Sequence, residues 1–164
     1  MYRHRYHVGL VVAVLLSATL GVENLLLAQA SEPLLGTWMM DRAKSTFSGI
    51  PPDKRIMKFE KVADGIRHIT ETTNLSGFIE DIYRLQYTFK IDGKDYAADA
   101  QMPVNVVSFK RIDANALERN GKYRGEVVET VTYQVSADGK VLTLTQKGNL
   151  NGAEVSSVQV FNRQ

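Results

Sequence analysis

Five Asx-Gly pairs divide this chain into short lengths: Asp64-Gly65, Asp92-Gly93, Asn120-Gly121, Asp138-Gly139 and Asn151-Gly152. Asn, Asp and Gly accept the positive φ that two-residue hairpin loops require, so each pair reads as a reversal of the chain. Ser76-Gly77, Met102-Pro103 and Asp113-Ala114-Asn115 add softer breaks. Between the breaks lie runs rich in Val, Ile, Thr, Tyr and Phe, which suit a pleated surface. About ten such runs read as strands. They fall near 35–41, 54–63, 66–73, 78–91, 94–99, 104–112, 115–120, 122–136, 140–148 and 153–163.

Two runs show the alternation best. In "DIYRLQYTFK", Tyr83, Leu85, Tyr87 and Phe89 share one face, and Arg84, Gln86, Thr88 and Lys90 the other. In "EVVETVTYQVS", Val127, Glu129, Val131, Tyr133 and Val135 share a face. A period of two means a sheet with one buried and one wet side. Consecutive hairpins make an antiparallel meander. An open sheet of that size leaves two exposed edges, so the expected fold is all-β: an up-and-down barrel of about 8–10 strands. Residues 42–54, "RAKSTFSGIPPDK", are broken by Gly49, Pro51 and Pro52 and have room for a turn or a short helix.

The first thirty residues are of another kind. Arg3 and Arg5 precede the uncharged stretch Val8 to Val22, and Ala28-Gln29-Ala30 supplies a small-x-small triplet. A basic start, an apolar run and such an end describe a helical secretory signal peptide, with cleavage after Ala30. The other reading is an uncleaved anchor, but Glu23 stops the apolar run short of the about 20 residues that span a bilayer. The expected organisation is a leader over 1–30 and one barrel domain over 31–164. The expected location is periplasmic or secreted, with a membrane contact only if the leader stays attached. With no cysteine, the chain carries no disulfide and cannot be a diacylglycerol-anchored lipoprotein.

Composition narrows the chemistry. The formal net charge is +2 and no basic cluster marks a nucleic-acid face. Outside the leader the only histidine is His68, in "IRHIT", which reads as a surface or partly buried strand residue. Without cysteine and with one histidine, a zinc site of the usual kinds is not expected. Asp92, Asp95 and Asp99 lack calcium-loop spacing and read as turn residues. There is no Gly-x-Ser-x-Gly elbow and no phosphate-cradling glycine loop. Glu80 and Asp81 are neighbours on a strand and point to opposite faces. No metal, cofactor or catalytic constellation is expected, and the chain does not read as an enzyme.

Glu129 interrupts an apolar face, and Lys110 does the same after Val106 and Ser108. A charge inside a barrel is costly unless paired or wet. Each is a polar handle within a ligand cavity, or else marks a bulge or a solvated strand end. Tyr83, Leu85, Tyr87, Phe89 and Tyr133 are candidates to line a cavity, or to fill a core.

At Gly36-Thr37-Trp38 a Gly-x-Trp opens the first strand of the meander. With "LLGTWMMDRAKSTFS", "IDGKDY", "FKRIDAN", "VSADGK" and the ending "VQVFNRQ", it resembles small exported bacterial proteins described as lipocalin-like, within the lipocalin and fatty-acid-binding superfamily. The resemblance covers nearly all of 34–164. It implies a barrel whose closed end is crossed by Trp38, with Gly36 beside it. Fatty-acid-binding proteins carry a helical lid after the first strand, for which 42–54 has room only in reduced form. Their carboxylate clamp uses Arg-x-Tyr on the last strand. Here "VFNRQ" places Phe161 and Arg163 in the reverse order, so the clamp is not carried over. Three functions remain: a barrel holding a small hydrophobic or amphipathic ligand, a ligand-free scaffold or protein-interaction module, and a small outer-membrane barrel with its apolar face turned to lipid.

Overall fold

A computed structural model describes residues 32–77 and 79–164; the leader over 1–30 lies outside them. Eleven strands follow one another: β1 (Gly36–Met40), β2 (Thr46–Phe47), β3 (Lys54–Val62), β4 (Gly65–Ser76), β5 (Ile79–Phe89), β6 (Asp95–Ala97), β7 (Val106–Asp113), β8 (Ala116–Tyr123), β9 (Glu126–Val135), β10 (Val141–Leu150) and β11 (Ala153–Arg163). Between β1 and β3 lie only a 3-10 turn at Arg42–Lys44, capped by Asp41, and the two-residue β2.

The sheet order is β5-β4-β3-β1-β11-β10-β9-β8-β7-β6, with β2 alongside β11 and antiparallel pairing throughout. The expected meander is therefore present, and β1 joins both β3 and β11. The barrel is nearly closed. Its two end strands, β5 and β6, share no ladder. Phe89 of β5 stacks on Phe109 of β7 at 3.6 Å, and the Gln86 amide donates to Asp99 Oδ2 at 2.8 Å.

Most of the punctuation falls where the Asx-Gly pairs stand, with one correction. Asn120-Gly121 is not a turn but lies inside β8. The reversal comes at Arg124-Gly125, where φ is 52° and 88°, the paired positive values of a two-residue hairpin loop. Gly121 stays in the strand because it sits opposite Glu129, whose side chain fills the place a Cβ would take.

Apolar side chains point inward. Trp38, Phe59, Phe89, Phe109, Phe161, Leu34, Leu142 and Val107 are the largest fully buried side chains. Lys58, Glu60, Arg67, Glu71, Arg84, Lys110 and Glu118 pair with one another as half-exposed ions. This is the reverse of a barrel that turns its apolar face to lipid.

At one end of the barrel, the Gly-x-Trp motif packs against the last strand. Trp38 is fully buried, and its indole Nε1 donates to Leu34 O at 2.8 Å. Arg163 of β11 lies over the indole face, 4.1 Å from the ring centroid. Its Nη1 and Nη2 donate to Leu35 O at 2.6 Å and Pro33 O at 2.7 Å, and its Nε donates to Gly139 O. Gly36 has φ +128°, and a Cβ there would sit 2.5 Å from Arg163 Nη1. One planar guanidinium thus ties the entry to β1, the β9–β10 turn and the last strand together. Lysine has neither the fork nor the plane. Arg163→Lys is expected to cost about 2–4 kcal/mol of unfolding free energy, as charge-assisted bonds are lost, read from the midpoint shift in urea.

Candidate functional site

In the barrel interior, five rings meet in a closed circuit. Phe59 stacks on His68 at 4.4 Å, and His68 meets Tyr87 edge-on at 5.0 Å. Tyr87 packs on Phe109 at 6.4 Å, Phe109 on Tyr133 at 5.8 Å, and Tyr133 on Phe59 at 6.2 Å. Beyond this circuit the interior opens into a cavity of about 270 Å³. Met57, Leu85, Val131, Leu144 and Leu150 form its apolar wall, and Gln101, Met102 and Pro103 border it from the β6–β7 loop.

The rest of the wall is polar and hydrogen-bonded in one direction. Arg55 Nη1 donates to Gln159 Oε1 at 2.6 Å, and Arg55 Nε to Thr72 Oγ1 at 3.1 Å. Gln159 Nε2 donates to Ser157 Oγ at 3.0 Å, and Ser157 Oγ to Gln146 Oε1 at 3.2 Å. Gln146 Nε2 donates to Glu129 Oε2 at 2.7 Å, and Arg119 Nη2 forms a buried ion pair with Glu129 Oε1. Alternation explains this arc. Arg55 follows the parity of Met57 and Phe59, Arg119 that of Leu117, Gln146 that of Leu142 and Leu144, and Gln159 that of Phe161.

Glu129 is both inside the barrel and next to a bulge. The register moves from Gly121↔Glu129 to Lys122↔Val127, leaving Val128 as the extra residue. Val127, which strict alternation puts on the same face as Glu129, is turned out and exposed. Glu129 also sits across from Gly148 of β10, so glycines flank it on both neighbouring strands. A Cβ at either position would come within 2.9 Å of the Glu129 side chain or backbone. The two glycines make room for a buried carboxylate.

Of the residues singled out in the sequence, Leu85, Tyr87, Glu129 and Tyr133 border the cavity. Phe89 is buried against Phe109, away from the cavity wall. Two lie elsewhere. Val107 and Phe109 take the inner face of β7, which puts Lys110 on the outer wall, paired with Glu118 at 2.8 Å. Tyr83 keeps the parity of Leu85, but β4 and β5 run past the barrel rim there, and it is half exposed. His68, read as a surface or partly buried residue, is instead buried in the aromatic circuit. Arg55, Arg119, Gln146 and Gln159 were missed. Their one signal is a polar residue at the buried parity of its strand.

Among the described residues, three buried polar atoms on this wall make no well-formed hydrogen bond: His68 Nδ1, Tyr87 Oη and Arg119 Nε. The Tyr87 hydroxyl lies beside the Arg119 guanidinium and the Tyr133 hydroxyl, so His68 Nδ1 is the one without a polar neighbour among the described residues. His68 Nε2 meets Thr70 Oγ1 at 2.8 Å. Burial, helped by the Arg119 charge, pulls His68 down to about 3, so its ring is neutral. Burial pushes the Tyr87 phenol upward and keeps it a neutral hydroxyl. Burial also pulls the Arg55 guanidinium below its ordinary value. Two guanidiniums and one carboxylate face this space. The arrangement suits recognition of a polar head by hydrogen bonds. Among the described residues, no group of three His, Cys, Asp or Glu side chains could hold a metal ion.

The fold and the site define a ten-stranded meander barrel, with β2 alongside, and a polar internal cavity. No family model matches the chain, and no curated protein matches it. Among solved structures, it is similar to As-p18, an extracellular fatty acid binding protein. That match has 19% identity and a TM-score of 0.47, and covers 81% of this chain and 97% of the other. It is also similar to zebrafish ileal bile acid-binding protein complexed with cholic acid. There the identity is 10% and the TM-score 0.46, with 80% and 99% of the two chains covered.

Glu129→Gln leaves Arg119 buried without a counter-charge and is expected to cost about 3–5 kcal/mol. Glu129→Leu with Arg119→Met removes both charges and is expected to cost far less; chemical denaturation of both variants measures the difference. His68 has a second readout. Its folded value lies below its unfolded value of 6.5, so the unfolded chain takes up the proton first as pH falls. Its contribution is complete above pH 6.5 and is lost on the way down to about 3. The slope is at most about 1.4 kcal/mol per pH unit. His68→Phe is expected to flatten the stability–pH profile in that window relative to wild type.

Proposed function

We propose that this chain is an exported β-barrel, with 1–30 as its secretory signal and 31–164 as the working domain, that holds one small amphipathic molecule in its interior. The observation that carries the reading is a cavity wall that joins an apolar side to buried donors and acceptors, Arg55, His68, Tyr87 and Arg119, of which His68 Nδ1, Tyr87 Oη and Arg119 Nε make no well-formed hydrogen bond among the described residues. An unpartnered buried donor or acceptor costs about 1–3 kcal/mol, and a bound polar head removes that cost. Arg55, which no carboxylate neutralises among the described residues, favours a head that is anionic or rich in acceptors. The apolar wall receives the rest of the molecule.

The cavity volume limits that molecule's size. At about 270 Å³ it lies near the lower end of ligand pockets, which run from about 300 to 1,000 Å³. The same observation supports the second reading, a ligand-free scaffold, in which ordered water fills the space. Native mass spectrometry of the protein purified gently from the cells that make it distinguishes the two. A stoichiometric adduct lost on denaturation is expected, along with at least about tenfold weaker retention in Arg55→Met, as one charge-assisted bond is lost. A clean apo mass that stays unshifted against a panel of small amphiphiles overturns the reading.

A further inference from the structure

Past the barrel rim, the β4–β5 hairpin projects with apolar side chains on both faces. Leu75 is 60% exposed, Ile79 and Ile82 each 64%, and Tyr83 50%. Leu75 and Ile82 share the outer face through the pairs Leu75↔Glu80 and Thr73↔Ile82, and Ile79 and Tyr83 lie on the other. The strand has no lysine, proline or bulge to blunt its edge, and its charges, Glu80, Asp81 and Arg84, are of mixed sign.

One edge of β5 is free along the same length. β5 pairs only with β4. On its other edge the Gln86 amide donates to Asp99, and Arg84 O accepts from Gln101 at 3.5 Å. Backbone groups on a strand alternate in direction, so those of Glu80 and Ile82 point to this edge as well. Among the described residues they meet no partner.

The segment Glu80-Asp81-Ile82-Tyr83-Arg84 is self-complementary when run antiparallel against itself. Placed about Ile82, each Glu80 stands opposite the Arg84 of the other copy, Ile82 opposite Ile82, and Asp81 opposite Tyr83. A centre at Tyr83 loses the Glu80–Arg84 pairs and sets Glu80 against Gln86, whose amide is taken by Asp99, and the registers toward the hairpin tip are worse. A centre at Asp81 sets two aspartates face to face, and a centre at Glu80 two glutamates, which destabilises a pair. Even-numbered residues, whose backbone faces the edge, exchange hydrogen bonds in the favoured register: Ile82 with Ile82, and Glu80 with Arg84, whose carbonyl gives up its long 3.5 Å contact with Gln101. The Glu71–Arg84 contact, at 3.8 Å between half-exposed side chains, leaves the guanidinium able to reach across.

We infer that this edge binds a second copy of the chain, β5 to β5 about a two-fold axis through Ile82. The contact is isologous, as closed dimers require. It pairs the free backbone groups of the edge and sets Ile82 beside Ile82 of the other copy, and it continues each barrel wall into its partner.

Sedimentation velocity on the purified protein tests this. Wild type forms a concentration-dependent dimer. Glu80→Arg, which sets arginine against arginine twice, weakens it at least about tenfold, and Glu80→Arg with Arg84→Glu restores it. The cysteine-free chain allows a direct check. Cα atoms of a hydrogen-bonded antiparallel pair lie about 5.5 Å apart, within disulfide range. Ile82→Cys therefore cross-links to a dimer under mild oxidation, while Lys110→Cys on the outer wall does not. A wild-type protein that stays monomeric at its highest soluble concentration overturns the inference. So does a dimer indifferent to Glu80→Arg and not cross-linked through position 82. The tested side chains are exposed and outside the cavity, so ligand retention is independent of this result.

Discussion

β1 and β11 share three register pairs, fewer than any other join in the main path except the three of β6 with β7. That short seam is where the meander returns upon itself, and Arg163 reinforces it. Its guanidinium is spent on three carbonyls and on the face of Trp38. The carbonyls belong to the segment before β1 and to the β9–β10 turn, so distant parts of the chain meet at one group. With Trp38 fully buried at this end, the interior beyond it is organised around the aromatic circuit.

The polar arc would be a poor way to stabilise an otherwise apolar core. Buried ion pairs roughly offset their own desolvation, and hydrophobic replacements often serve as well or better. Here the arrangement includes a bulge that brings Glu129 inward, glycines on both sides of it and, beside it, three polar atoms that make no well-formed hydrogen bond among the described residues. A core built only for stability has no use for those atoms. They favour a surface shaped for something that is not part of the chain.

The sheet was largely legible in the sequence because period-two patterning and Asx-Gly turns report on local geometry. Tyr87, Leu85 and Tyr133 could be found from alternation alone. The errors are equally physical. Asn120-Gly121 has the composition of a turn, but its glycine serves a carboxylate one strand away. Lys110 was misplaced because the start of β7 does not alternate: Val107, Ser108 and Phe109 are all buried, and either parity can be read as the inner one. Tyr83 has the right parity, but nothing in the local pattern tells where a long hairpin leaves the barrel. Arg55, Arg119, Gln146 and Gln159 escaped because a polar residue at a buried parity, their one local signal, looks the same as a solvated strand end or a bulge. Its partners come from strands far away in sequence, and only the closed barrel brings them together.

The arc from Arg55 to Glu129 has a sense as well as a composition. Gln159, Ser157 and Gln146 each accept from the Arg55 side and donate toward Glu129. No single amide in such a series can rotate alone, because that would set donor against donor on one side and acceptor against acceptor on the other. The three side chains form one cooperative element with a fixed polarity, anchored by a cation at its head and an anion at its foot. The sense is fixed at both ends, because a guanidinium can only donate and an ionised carboxylate can only accept.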